Sequence, residues 1–539
     1  MRYSTIFSVV FFMVIFNANA QTDTTSNVNM IDRARIEVKL TEARNAYHNR
    51  NYRDALNSYR EVLVLDENNA RAYYRMGEIN YILHFYEMSL KNLQKAEGLD
   101  VEVNKELYYT LGKTYHAMAM MDEAIESFTK FKSSRTERQL RDYDVDVLIA
   151  QCHTAKEMMA NPVDVDIENL GRNINTRHDE YAPSVTADGK TMIFTARRPD
   201  TKGGGIDMQY DHKYFESIYI SEWDEENNTW GESEIVPGRL NTEFHDASLS
   251  ISPDGEYIFV YKNIPGATGS GDIYMSRKSR SGKWGSPKPL NKAINSSYWE
   301  SGASLTQTGD TLFFLSERPK GYGGADIYMS IKQGRNWGEP MNLGPTINTS
   351  EDENSVYIHP NGRTLFFSSR GHNTMGGYDV FKSDLVNGAW TTPVNLGYPI
   401  NTVRDDLHFI MLGDSLAYMS GLRDKGIGGR DIYAVNLERY PILEPGFVVR
   451  THGTLSGTVV DQDGAKPVRA DLKFYYKGTE DLAGSTSTND DGSYSISLEG
   501  GKEYDVIVFS EGFDELRQNI RIDLKEREAT IIHEHFIMK

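Results

Sequence analysis

The 539-residue chain has a single cysteine, Cys152, so no intramolecular disulfide can form and no cluster of thiolate metal ligands can be built. Basic charge is scarce: 58 Lys and Arg against 77 Asp and Glu leave a formal net charge of −19. A surface of that sign repels phosphate backbones, which argues against general nucleic-acid binding. No apolar run after the first twenty residues is long enough to cross a bilayer, which takes about 20 residues. Proline is absent before Pro162. Catalytic signatures are missing too: there is no His-Glu-x-x-His, no Gly-x-Ser-x-Gly, and no Walker or dinucleotide glycine pattern at a strand-to-helix junction. His533-Glu534-His535 stands too close to one end to build a metal site. On these absences the sequence reads as non-enzymatic, with no cofactor and no bound metal.

What is present begins with a targeting signal. Arg2, the apolar run from Ile6 to Phe16 and the small-x-small triplet Ala18-Asn19-Ala20 form a secretory signal over residues 1–20, with Gln21 as the mature N-terminus. No cysteine follows the cleavage site, so a lipid anchor is not expected. The expected location is the periplasm or the periphery of the outer membrane, with no transmembrane segment in the mature chain.

Residues 33–160 carry apolar and small residues at helical spacing. Ala43, Gly77 and Gly112 stand 34 and 35 residues apart, each followed twelve residues later by Ala55, Ser89 or Ala124. Sixteen residues on come Tyr59, Leu93 and Phe128. This pattern resembles the tetratricopeptide repeat, in which small residues let paired helices approach closely. The repeat frame implies a concave face bearing Leu40, Arg44, Tyr47, Tyr74, Glu78, Tyr81, Tyr109, Lys113 and His116. Those tyrosines either line a groove for a peptide or partner helix, or pack between neighbouring helices.

Residues 162–437 repeat five times with a period near 53. Trp230, Trp284, Trp337 and Trp390 are spaced 54, 53 and 53 apart. Asp272-Ile273-Tyr274, Asp326-Ile327-Tyr328, Asp379-Val380-Phe381 and Asp431-Ile432-Tyr433 keep the same beat. So do Asn175-Thr176, Asn241-Thr242, Asn295-Ser296, Asn348-Thr349 and Asn401-Thr402. Four short strands per unit at this period predict propeller blades, five in number. The last unit lacks a Trp strand, and Asp166 to Leu170 matches the strand it is missing, so the N-terminal strand is expected to complete the C-terminal blade. The units resemble the TolB-like propeller repeat, through Arg318, Arg370 and Arg423 and the glycine pairs Gly323-Gly324, Gly376-Gly377 and Gly428-Gly429. Acidic pairs such as Asp179-Glu180, Asp352-Glu353 and Asp405-Asp406 could hold Ca²⁺. Residues present in every copy nevertheless read as the bonds that hold the ring, because catalysis needs one asymmetric constellation. The first unit is longer because of extra residues around Gly203 to Glu216, and the unique material is mainly Asp207 to Glu216 of that insertion.

Residues 450–539 alternate strands with Asp-Gly turns, as a small β-sandwich does. Asn489-Asp490-Asp491-Gly492-Ser493-Tyr494 resembles the turn of the carboxypeptidase regulatory-like domain. The expected fold class is therefore α then all-β: a tetratricopeptide stack, a five-bladed β-propeller and a β-sandwich. That order resembles Bacteroidetes cell-envelope proteins that carry a further OmpA-like domain and are associated with type IX secretion. The resemblance implies a scaffold that binds envelope proteins of the secretion or outer-membrane machinery, with cell-wall glycan met indirectly. The alternative is a glycan- or peptide-binding protein that takes its ligand in the propeller channel, and an enzyme of unknown type is a third reading.

Overall fold

The computed structural model describes residues 29–208, 212–252, 255–263, 271–279, 282–443, 452–464, 466–499, 502–522 and 531–539. The expected signal, 1–20, lies outside the described residues. No described helix is long and apolar enough to cross a membrane. The chain divides into two compact units, Met1–Thr110 and Leu111–Lys539.

The first unit is built from helical hairpins. Helices α1 (Met30–His48) and α2 (Tyr52–Leu65) pack as one pair, and α3 (Ala70–Ile82) and α4 (Tyr86–Leu99) as the next. Asn29, Asn51 and Asn69 cap three of these helices, each side chain accepting a backbone N–H of the first turn. The small residues do what their spacing predicts. A Cβ on Gly77 would stand 2.6 Å from Leu93 Cγ, so α3 and α4 can meet only with glycine there. Ala55 and Ser89 are fully buried, and Ser89 Oγ donates to the Gly77 carbonyl at 2.8 Å.

The division falls within helix α5 (Leu107–Ala117). The second unit then contains α6 (Met121–Ser133), the short α7 (Glu137–Leu140) and α8 (Val145–Ala160). Gly112 lies against Phe128, the same glycine-to-large contact one repeat on. These helices belong with the β-region because they are bonded to it. His116 Nε2 meets the Met375 carbonyl at 2.8 Å and Gln151 donates to Thr374 Oγ1 at 3.0 Å.

The β-region that follows is propeller-like. Five antiparallel sheets are present among the described residues, with inner strands Glu180–Val185, His245–Ile251, Glu300–Leu305, Glu353–Ile358 and Asp406–Leu412. Each inner strand packs beside the next, and 406–412 returns to 180–185. The last sheet takes its outermost strand from the start of the region. Asp166–Asn169 pairs antiparallel with Asp431–Asn436, Asp166 opposite Asn436, as expected from the sequence. The ends of the region are thereby tied together without a disulfide.

The C-terminal part has two four-stranded sheets around Leu472, Phe474, Tyr494, Tyr504 and Val506. Gly492 takes a left-handed φ of 74° in the Asp-Asp-Gly-Ser turn, a conformation that favours glycine.

Replacing residues 164–170 by a Gly/Ser linker of equal length leaves the edge of Asp431–Asn436 unpaired. The expected outcome is a lower Tm and concentration-dependent aggregation, measured by scanning calorimetry and light scattering. An unchanged Tm would refute the closing role of that strand.

Candidate functional site

The repeated residues form a clamp that recurs at every junction between neighbouring sheets. Asn175, Asn241, Asn295, Asn348 and Asn401 each accept a backbone N–H and donate to the carbonyl of the same residue: Ile432, Ile218, Ile273, Ile327 and Val380 in turn. The hydroxyl and N–H of the next residue hold a buried carboxylate: Glu180, Asp246, Glu300, Glu353 or Asp406. A cation completes four of the five. Arg198 meets Glu180 at 2.8 Å, Arg318 meets Glu300 at 3.4 Å, Arg423 meets Asp406 at 3.0 Å, and Lys262 meets Asp246. Arg370 does not take the fourth place. It lies over the Tyr378 ring at 4.3 Å, and Gly371 stands where three other sheets have Arg198, Arg318 and Arg423.

Glu353 is therefore held by neutral donors, Thr349 and Ser369, although it is only 1% exposed. Burial pushes its carboxyl up from 4.5 to about 7. An acid whose folded value is raised loses stability as pH climbs from about 4.5 through about 7, because the folded state must then hold a desolvated charge. Glu353→Gln is expected to be more stable than the parent at pH 8, by up to about 3 kcal/mol, with no gain at pH 4. Urea denaturation at the two pH values checks this.

The acids preceding these carboxylates are also spent on structure. Asp179, Asp352 and Asp405 accept the backbone N–H of Arg430, Ala325 and Tyr378 in the adjacent glycine loops, at 3.0–3.2 Å. They point at backbone, and no group of three or more His, Cys, Asp or Glu among the described residues could hold a metal ion.

Two junctions depart from this rule. Where the others have that acid, the second sheet has His245 and the third has Trp299, preceded by Phe244 and Tyr298. The loop facing His245 is the insertion rather than a short glycine turn. His245 Nε2 lies 2.9 Å from Asp207 Oδ2, and its Nδ1 lies 3.1 Å from Glu216 Oε2. Tyr181 donates to the other Glu216 oxygen, and Phe215 packs on the imidazole at 4.9 Å between centroids. Burial works against charge on His245, but its bonds to Glu216 and Asp207 carry its pKa above the ordinary 6.5. Burial likewise opposes charge on Glu216, yet His245, Arg197 and Tyr181 hold it below the usual carboxylate value. Glu216 is thus charged near neutral pH, and the charged form of His245 is favoured more than in an ordinary imidazole. On the same rim Phe244, Tyr298 and Tyr322 are 39%, 43% and 51% exposed. Rings with free faces beside a charged cluster suit a ligand that has both an apolar face and hydroxyl or charged groups. On the rim of the fourth and fifth sheets, His116, Ala117 and Gln151 occupy the Met375, Arg404 and Thr374 positions instead.

The residues expected to form a helical groove are placed differently from one another. Leu40 is core between α1 and α2, and Arg44 is exposed. Tyr74 is 1% exposed and donates to Glu78 at 2.7 Å. Arg75 bonds Glu78 at 2.6 Å and lies over the rings of Tyr47 and Tyr74. Tyr47 also meets Tyr52 edge to face at 5.9 Å, and Tyr81 meets Tyr86 at 5.7 Å. Tyr109 and Lys113 are half-buried, and His116 is buried against the Met375 carbonyl. Tyr74→Ala is accordingly expected to cost about 3–5 kcal/mol of stability, as truncation of a buried ring does. Circular dichroism during thermal melting would show it, and a fully stable variant would refute core placement.

No protein-family model matches the chain, and no curated protein matches it. Solved structures do show a likeness. An α-L-arabinofuranosidase from Podospora anserina in complex with cellotriose is 11% identical, with 49% of this chain and 92% of that one covered and a TM-score of 0.32. A GH43 endo-arabinanase from Bacillus licheniformis is 14% identical, with 49% and 95% covered at 0.31. An α-L-arabinofuranosidase from Lactobacillus brevis is 13% identical, with 48% and 91% covered at 0.31. The expectation that the chain is not an enzyme is corrected to this extent: two arabinofuranosidases and an endo-arabinanase stand among the structures it is similar to, and that expectation is not carried further. Likeness at this level assigns no activity.

Proposed function

We propose that residues 166–437 form a five-bladed propeller that binds a glycan at the rim of its first three sheets. The observation that carries this is the departure of two junctions from the common clamp. His245 and Trp299 stand where the other junctions have structural acids. Phe244, next to His245, and Tyr298, next to Trp299, present exposed rings there, and Tyr322 is exposed in the third sheet. Sugars offer flat C–H faces for aromatic stacking and hydroxyls for charged acceptors, which is the chemistry found there. The pocket between the inner strands offers little room. Lined by Leu249, Ser301, Ser355, Tyr357 and His408 among others, it leaves about 50 Å³ for solvent, space for a few waters and not for a sugar ring. The proposal therefore takes the rim rather than this pocket as the site. Export to the cell envelope, with the helical hairpins and C-terminal sandwich as partner-binding modules, remains part of the proposal on the sequence patterns alone.

Titration of the full chain with a panel of oligosaccharides, arabino- and cello-oligosaccharides included, tests the reading by calorimetry. At least one class is expected to bind, and Phe244→Ala with Tyr298→Ala to weaken it about tenfold or more, the loss expected for two stacking rings. Chromatography of the same mixtures separates binding from turnover. A wild-type chain that binds no oligosaccharide, or a double variant that binds as well as the parent, would sink the proposal.

A further inference from the structure

We infer that Arg370 and Arg430, on either side of Asp405, form a site for a carboxylate carried by the ligand, so that the glycan bound here is a uronate-bearing oligosaccharide. The ligand class rests on the glycan reading above; the anion site does not.

The repeat again supplies the frame. Each residue that carries a buried junction carboxylate donates its backbone N–H to one carbonyl of a neighbouring sheet, that of Glu216, Gly271, Ala325, Tyr378 or Arg430. These are equivalent places around the ring. Two hold small side chains, Gly271 and Ala325, whereas Tyr378, Arg430 and Glu216 are large and follow one another on the fourth, fifth and first sheets. Their side chains are joined by contacts. Arg370, just after the strand Thr364–Ser369, lies over the Tyr378 ring at 4.3 Å. Arg430 lies over the Tyr181 ring at 5.6 Å, and Tyr181 donates to Glu216. Glu216 meets His245, whose neighbour in the chain is the exposed Phe244. A line of contacts thus runs from the two arginines to the proposed glycan rim.

Asp405 stands between the guanidinium groups without bonding either. Arg370 Nη2 is 3.9 Å from Asp405 Oδ1, and Arg430 Nη2 is 3.7 Å from Oδ2. Both separations exceed a hydrogen bond. Asp405 Oδ1 accepts the Tyr378 N–H at 3.2 Å instead. Asp179, the other acid near Arg430, is held by Lys213 at 2.7 Å and by the Arg430 N–H. Neither guanidinium donates a hydrogen bond to any described residue, and the two side chains are 48% and 32% exposed. Arg198, Arg318 and Arg423 behave differently: each spends its donors on a buried carboxylate and on carbonyls of a turn. A guanidinium is a planar fork of N–H donors that matches both oxygens of a carboxylate. Stacking on a tyrosine holds that plane and leaves the donors unspent. The long-range field of a chain with net charge −19 opposes an anionic ligand, so its attraction has to be local, which paired forks provide. On a glycan the group that fits is the carboxylate of a uronic acid.

Calorimetry of the full chain with oligogalacturonates and oligoglucuronates, each compared with its methyl ester, tests the site. At least one acid is expected to bind on the order of tenfold or more tighter than its ester at low salt, the gain from charge-assisted hydrogen bonds. That margin should shrink as salt rises. Arg370→Gln with Arg430→Gln should bind acid and ester alike, while an unchanged Tm shows the fold intact. If that pair does not fold, Arg370→Lys with Arg430→Lys keeps the charge without the fork and is expected to lose most of the margin. Esters that bind as tightly as their acids, or a folded Gln variant that keeps the margin, would overturn the inference and leave the glycan reading standing. Sodium acetate against sodium chloride at equal ionic strength, read as a thermal shift, separates the site from the sugar. If no saccharide binds but acetate raises the Tm of the parent and not of the Gln variant, the glycan reading fails and the anion site stands. If neither saccharides nor acetate have an effect, both fall.

Discussion

Everything in the β-region hangs on one asparagine side chain per sheet. A carboxamide has one acceptor and one donor group side by side, so it can satisfy both backbone groups of a single residue, as a strand neighbour would. Asn175, Asn241, Asn295, Asn348 and Asn401 do this for five residues on adjoining sheets, where no strand is available to pair. One backbone bond also crosses each junction, from Glu180, Asp246, Glu300, Glu353 or Asp406 to the neighbouring sheet. Without the asparagine, the two backbone groups it serves would be left unbonded, at a cost of about 1–3 kcal/mol per group. The buried carboxylate beside each asparagine ties the approaching turn to the sheet, and its cation reaches back to the carbonyl of the preceding turn, as Arg198 does at Ile174 and Arg423 at Ile400. With such a joint repeated at each junction and a borrowed strand at the seam, a region with no cysteine needs no cross-link.

The same joint explains why function, if it resides in this region, must lie where the repeat breaks. Asp179, Asp352 and Asp405 each accept a backbone N–H from the glycine loop of the adjoining sheet, so these carboxylates are committed to the junction. Losing one such acid removes a bond between sheets and has to be compensated. At the second junction the compensation is the insertion with His245, and at the third it is Trp299 against Tyr261, with rings 6.3 Å apart. A structural bond has been exchanged for a polar cluster and an apolar contact, and the surface that results differs from its three neighbours.

Much of this was legible in the sequence. The tryptophan spacing, the Asn-Thr and Asp-Ile-Tyr beats and the orphan strand at Asp166 to Leu170 predicted the sheets and their closing partner, because strand repeats at fixed period leave a one-dimensional trace. Gly77 and Gly112 announced the close helical contacts at Leu93 and Phe128. Helical periodicity could not distinguish a groove from an interhelical network, since Tyr74 occupies the same register in either case; only its bond to Glu78 and its burial decide. His116 fitted the helical frame equally well, yet its partner is a carbonyl 259 residues away, which no local pattern encodes. Gly371 hid the missing cation for a related reason: Arg370 beside it satisfied the motif while its side chain turned to Tyr378.

The two departing junctions are harder to see in the sequence, because a repeat is defined by what recurs. The signal was nonetheless present as a substitution: aligned on the asparagine, the fourth following residue is Asp179, His245, Trp299, Asp352 and Asp405. Two of five positions change chemical class while the asparagine, hydroxyl and carboxylate around them hold. Drift under relaxed constraint would be expected to reach the flanking residues too, because a weakened joint makes them dispensable. Retention of the joint on either side, with replacement of one acid by a histidine that then bonds two new carboxylates, is what a region does when it keeps its fold and changes its surface.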